Sequence, residues 1–194
     1  MENTRAKTTR NSLILLLTAT IWGMAFVSQS KGMDYMHPFT FNGVRSLIGA
    51  AGILVYILIS RKIAGDKATK LDWKLNVRAG LLCGIFLTIA STLQQFGIKY
   101  TSVGKAGFIT TLYIIFVPMF GIFLKKKVAP VVWAAAGMAA VGMYLLCMTE
   151  SLRLGAGDIM VFLCAIAFAI QIMTVDHYAA RIDGAVVSCI QFTV

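Results

Sequence analysis

The chain has 194 residues, of which 58% are hydrophobic and only 13% charged, against about 25% charged for an ordinary soluble domain. That leaves too little polar surface to cover a water-soluble fold of this size, which argues against a soluble enzyme or a soluble binding module. The net charge of +10 does not point to nucleic acid, because lysine and arginine sit between apolar stretches rather than in an aromatic-interleaved patch.

A basic tail over 1–11 leads into apolar runs at 12–30, 38–60, 78–97, 106–124, 129–148 and 157–176, and a seventh begins near Gly184 and is unfinished at Val194. Each full run is roughly twenty residues, enough for a helix to cross the ~30 Å hydrocarbon core of a bilayer. Backbone groups in lipid must be satisfied internally, which leaves helices or closed barrels. The runs are continuous and lack the period-two alternation of barrel strands. The expectation is an all-α polytopic membrane protein, a helical bundle.

Basic residues set the orientation. With the N-terminus in the cytoplasm, that side collects Arg5, Lys7, Arg10, Arg61, Lys62, Lys67, Lys70, Lys74, Arg78, Lys125, Lys126, Lys127 and Arg181, most of the 18 in the chain. The opposite side keeps Lys31, Lys99 and Arg153, while Arg45 and Lys105 fall within or beside helices. The first run follows a basic segment as a signal peptide does, but no small-x-small cleavage site follows, and Trp22, Phe26 and Gln29 continue the helix. Glu2 stands where myristoylation needs glycine. A multi-pass protein of the cell membrane, N-terminus inside, is expected.

The second half of the chain echoes the first. Laying Trp22 over Phe168 brings Ala25 onto Gln171, Pro38 onto Gly184, Asn42 onto Ser188 and Arg45 onto Gln191. The residue matches are similarities, but helix, short loop and helix recur at the same spacing. An odd number of helices separates the two copies, so the second enters the membrane from the opposite side, the plan of an inverted repeat. On this reading 12–148 is a complete first five-helix repeat and 157–194 the start of a second.

Several stretches resemble the EamA-type permeases of the drug/metabolite transporter superfamily. They are IWGMAFV at Ile21–Val27, PFTFNGVR at Pro38–Arg45, KYTSVGKAGFITTLYIIFVPMF at Lys99–Phe120, GMAAVGMYLL at Gly137–Leu146 and the Gly157-Asp158 pair. They occur in the family's order and cover nearly the whole chain, although Phe168 stands where the second repeat often carries Trp. The resemblance implies a ten-helix inner-membrane carrier of two inverted repeats that moves small metabolites or drugs by alternating access, often as an exporter. This chain would hold about two thirds of it.

The polar residues inside the runs are the candidates for a substrate-binding or gating site. Arg45 lies well into the second run, where a charge is costly unless it faces a cavity or a partner. Its guanidinium suits a carboxylate or phosphate held by two hydrogen bonds; snorkelling to the outer interface is the competing reading. Thr18 and Trp22 are four apart on one helical face and suit a mixed apolar and polar pocket, or plain packing. Gln94 and Gln95, with Ser91 and Thr92, make a polar run in the third span, and Thr110 and Tyr113 sit three apart in the fourth. Asn42 belongs to the motif shared with Arg45, and Gln171 in the sixth span lies on the repeat-related side of the same midplane. Each of these amides and hydroxyls would serve equally for interhelical hydrogen bonding.

Lys105, at the tight turn after the third span, is expected to snorkel outward. Asp158 is expected to cap the sixth span, Pro118 to kink the fourth, and Asp176 with His177 to form a solvated pair. Gly80-x-x-x-Gly84 and the alanines and glycines of the fifth span read as close-packing surfaces, a homodimer contact by the latter being left open. Cys83, Cys147, Cys164 and Cys189 lie in apolar runs without C-x-x-C spacing and read as packing residues. No catalytic motif, metal spacing or phosphate-cradling loop is present, so neither enzymatic activity nor a cofactor is expected. The absence of a Walker sequence, with no mid-membrane carboxylate, points to facilitated or exchange transport. The competing function is a non-transporting membrane scaffold or assembly subunit.

Overall fold

The computed structural model describes residues 2–64, 72–125, 128–147 and 155–194, with only the backbone given for residues 2–7, 64, 143, 146 and 147. Lys67, Lys70, Lys126, Lys127, Arg153 and the end of the fifth run at Met148 lie outside the described residues, as do the side chains of Arg5, Lys7 and Cys147.

All described elements are helices. They run α1 (Glu2–Gly32), α2 (Pro38–Ala64), α3 (Trp73–Tyr100), α4 (Val103–Thr111), α5 (Tyr113–Phe123), α6 (Pro130–Cys147), α7 (Ala156–Tyr178) and α8 (Gly184–Thr193), with a single 3-10 turn at Ala179–Arg181 between the last two. Five helical stretches are long and apolar enough to cross a membrane, with α4 and α5 together making one of them, while α6 and α8 fall among the shorter apolar helices. The protein is therefore the all-α polytopic membrane protein expected from composition.

Most boundaries lie outside the apolar runs, because helices end where caps and turns end them. α1 continues back through the basic tail, whose alanine, lysine and arginine are good helix formers. Pro38 opens α2, where its fixed φ and missing N–H cost nothing. Asp72 caps α3, its carboxylate accepting the Leu75 N–H at 3.1 Å, so α3 begins earlier than the run at 78. Asp183 caps α8, accepting from the Ala185 and Val186 N–H groups.

The fourth span departs further from expectation. The helix breaks at Leu112, not at Pro118, which lies inside α5. Around Leu112 the bonding tightens to i→i−3, with the Leu112 N–H on the Ile109 carbonyl and the Ile115 N–H on the Leu112 carbonyl. One residue earlier, the Thr111 hydroxyl donates to the Gly107 carbonyl at 2.7 Å. Such back-bonding bends helices by competing for the carbonyl that the ladder uses.

The α3–α7 pair is the most extensive contact in the bundle, with α8 against α2 and α3, and α4 and α5 against α7. α6 lies outside α4 and α5, and α1 packs mainly against α3 and α4, with its C-terminal Gly32 close to Phe41 of α2. Two apolar clusters fill the centre, one of Ala90, Cys164, Ala167 and Phe168, the other of Ile98, Ala106, Ile109 and Val161.

Glycines allow these close approaches. A Cβ on Gly97 would stand 2.9 Å from the Gly157 carbonyl oxygen, and one on Gly157 would stand 2.8 Å from that of Gly97. Gly80 faces Ile190, and Gly84 faces the Gln191 backbone, so this pair seats α8. In contrast, open space faces Gly137 and Gly142 on α6.

A polar fastening sits at each end of the bundle. On the side opposite the N-terminal tail, Asp158 is 3% exposed and pairs with Lys105 at 3.1 Å. It also accepts the Gly155 N–H and the Thr101 hydroxyl. Asp158 therefore caps α7 from its first turn, as expected. Lys105 does not snorkel away: burial of the carboxylate draws the ammonium inward. At the other end the buried Asn76 side chain accepts the Asp183 N–H at 2.8 Å and donates to the Asp72 carbonyl. Arg61 stands 3.8 Å from Asp183 there, with both side chains over two-fifths exposed.

Candidate functional site

A cavity of about 300 Å³ lies between α2, α3 and α8. Its polar wall comes from Asn42, Arg45 and Ser46 of α2, Thr88, Ser91 and Thr92 of α3, and Gln191 of α8. Phe39, Leu47, Leu87 and Phe192 supply apolar wall. The α2 register brings Asn42 and Arg45, three apart, to one face. The Asn42 amide nitrogen donates to the Ser91 carbonyl at 3.1 Å, which fixes the amide's orientation and turns its oxygen toward Arg45. Arg45 donates to that oxygen at 3.1 Å. Its guanidinium carbon also lies 5.8 Å from the Phe41 ring centre, within reach of a cation–π contact.

Gln171 reaches this group indirectly, its amide nitrogen donating to the Gln191 side-chain oxygen at 3.3 Å. Arg45 of α2 and Gln191 of α8 thus face one cavity.

The remaining candidates lie elsewhere. Gln94 donates to the Thr110 hydroxyl at 3.2 Å, a buried tie between α3 and α4. Gln95, fully buried, donates to the Gln29 carbonyl at 3.3 Å and joins α3 to α1. The side-chain oxygens of Gln29 and Gln95 are both buried and accept no hydrogen bond among the described residues. Tyr113 packs against Phe168 and lines a second, wider cavity between α5, α6 and α7, of about 660 Å³, whose rim includes Asp176. The structure does not bring Thr18 and Trp22 to any of these groups. Trp22 is 51% exposed, and the Thr18 hydroxyl is spent on the Ile14 carbonyl of its own helix.

Sequence reasoning left out Ser46 and Thr88 at the cavity, and Asn76 and Asp183 at the fastening on the side of the N-terminal tail. Asp183 carried a usable signal, an aspartate immediately before an apolar run. Asn76 carried none, because its role depends on a partner far along the chain.

The pattern of EamA-like transporters matches residues 10–148, most of the chain. The chain belongs to the EamA-like transporter family. An uncharacterized transporter from Archaeoglobus fulgidus is 30% identical over 171 residues, covering 85% of this chain and 48% of that protein. The chain thus spans about half the length of this relative. No solved structure matches it significantly. In this EamA-like chain the motif stretch Pro38–Arg45 forms the first turns of α2 and the cavity wall, and the Gly157-Asp158 pair forms the α3–α7 crossing and its ion pair.

Proposed function

We propose that the chain is part of a secondary transporter, a permease of the cell membrane with its N-terminus in the cytoplasm, that carries small metabolites by alternating access. The observation that carries this reading is the convergence of Arg45 and its repeat counterpart Gln191 on one cavity between α2 and α8, the position at which inverted-repeat carriers bind solute. Its volume falls within the range for ligand pockets, about 300–1,000 Å³. Residues 12–148 form the first repeat and 157–194 the opening of the second. Transport draws on the solute's own gradient or on exchange.

Proteoliposomes containing the full-length transporter of which this chain is part, loaded with radiolabelled amino acids, nucleosides, sugars and carboxylates in turn, test the reading. Solute-dependent flux is expected, with its loss in Ser91→Phe, which fills the cavity. Folded protein that supports no flux of any class favours the scaffold function instead.

A further inference from the structure

The same cavity carries an inference about what it takes, which rests on the transport reading above. Arg45 is the one charged side chain among the lining residues, and no aspartate or glutamate lines the cavity. A guanidinium has five N–H donors in a rigid fork. Only one of the bonds it makes is a hydrogen bond, the one to Asn42, and it forms no ion pair among the described residues. That leaves four donors. The Asn42–Ser91 bond holds Asn42 in place, so the fork is tethered at one corner while the remaining donors stay free for a ligand.

Depth adds to this. Arg45 is the eighth residue of α2, so it lies about 10 Å along the axis from the helix start at ~1.5 Å per residue. A cation this far into a span is retained where it faces a partner or a pathway. Around it the wall offers the hydroxyls of Ser46, Thr88 and Thr92 and the amide of Gln191, groups able to donate, together with the apolar faces of Phe39 and Phe192. A cationic solute would meet an uncompensated positive charge here, and a neutral one would leave the fork unused.

We infer that the α2–α3–α8 cavity selects solutes bearing an oxyanion, a carboxylate or phosphate, which Arg45 binds through its fork while Asn42 positions the guanidinium. The hydroxyl ring takes further polar groups of the solute, and Phe39 and Phe192 cover its carbon skeleton.

The test uses the chain in uncharged maltoside micelles, titrated in separate arms with succinate, inorganic phosphate, choline, D-glucose and short-chain phosphatidylglycerol, with binding read as a rise in unfolding temperature. Succinate or phosphate is expected to stabilise the parent saturably, and choline and glucose are not. Arg45→Gln weakens oxyanion binding about tenfold or more, as expected when a charge-assisted hydrogen bond is lost. Arg45→Lys, which keeps the charge but not the fork, retains part of it and covers the case in which Arg45→Gln fails to fold.

Equal protection of the parent and both variants by oxyanions would place binding elsewhere and overturn the inference. Stabilisation by phosphatidylglycerol alone would make the site a headgroup contact and overturn it as well. Protection by glucose or choline that disappears in Ser91→Phe would overturn the oxyanion class while leaving the transport reading standing. Flux in proteoliposomes decides that reading separately.

Discussion

α1 and α3 are indistinguishable by hydropathy and opposite in situation. Their apolar windows share a mean hydropathy of 1.6, yet 39% of the α3 window is buried and none of the α1 window is. Hydropathy measures a preference for lipid over water; it is silent on preference for protein over lipid. What separates the two helices is side-chain size and polarity. α3 carries Gly80, Gly84 and Gly97 where α8 and α7 press against it, and Gln94 and Gln95 where α4 and α1 need a donor. In lipid, close approach and hydrogen bonding replace the hydrophobic effect as the force between helices. Between Ser12 and Trp22, α1 buries none of its residues in the described bundle, and its leucines and isoleucines face outward.

Substitutions sharpen that contrast. The largest effect is expected at the α3–α4 turn. Lys105→Met leaves Asp158 buried and unpaired and costs ~3–5 kcal/mol, read as a fall in unfolding temperature in detergent. Pairing it with Asp158→Asn, which keeps the acceptor for the Gly155 N–H, recovers about half of that loss. If Lys105→Met behaves like the parent, the buried pair is not what holds α7 to the α3–α4 turn.

Next comes Gly97→Ala. Its Cβ meets backbone on α7, which cannot yield as a flexible side chain does, for a loss of ~1–3 kcal/mol. Cysteine cross-linking of α3 to α7 should drop alongside. An unchanged yield would mean that the two backbones do not approach as described.

Smaller still is the Gln94–Thr110 tie. A double-mutant cycle with Gln94→Leu and Thr110→Val is expected to give a coupling of ~0.6 kcal/mol, the mean for hydrogen bonds between membrane helices. Coupling indistinguishable from zero would count against the bond.

At the bottom of the scale stand Gly23→Ala and Trp22→Leu on α1. No atom lies within 4 Å of a Cβ at Gly23, and Trp22 is half exposed, so each is expected to change stability by less than ~0.5 kcal/mol. A loss as large as that of Gly97→Ala would show α1 to be as integral to the bundle as α3.

The spans were readable from the sequence because lipid imposes length and apolarity on every helix that crosses it. Helix faces were less readable. Thr18 and Trp22 share a face, but nothing in the chain says whether that face meets protein or lipid, and in the described bundle it stays exposed. The Leu112 break was hidden behind Pro118, which draws attention as the known breaker, while the competing bond comes from an ordinary threonine. Laying the second half over the first pairs Arg45 with Gln191, residues that line one cavity. Lys105 was the instructive case. A lysine at a span end is expected in water, and only the buried Asp158, more than fifty positions later, turns it inward.

The two unmet carbonyl oxygens of Gln29 and Gln95 bear on the order of assembly. A buried acceptor without a donor forfeits ~1–3 kcal/mol, and both sit in the one seam that joins α1 to α3. α1 is made before α3, yet among the described residues its buried polar tie to the core is the bond discounted by those oxygens. A helix held this way gains little by docking before α3 and α7 have formed their crossing. Such a helix is expected to settle only after α3 and α7 have packed, and to peel away before they part when the bundle is stressed.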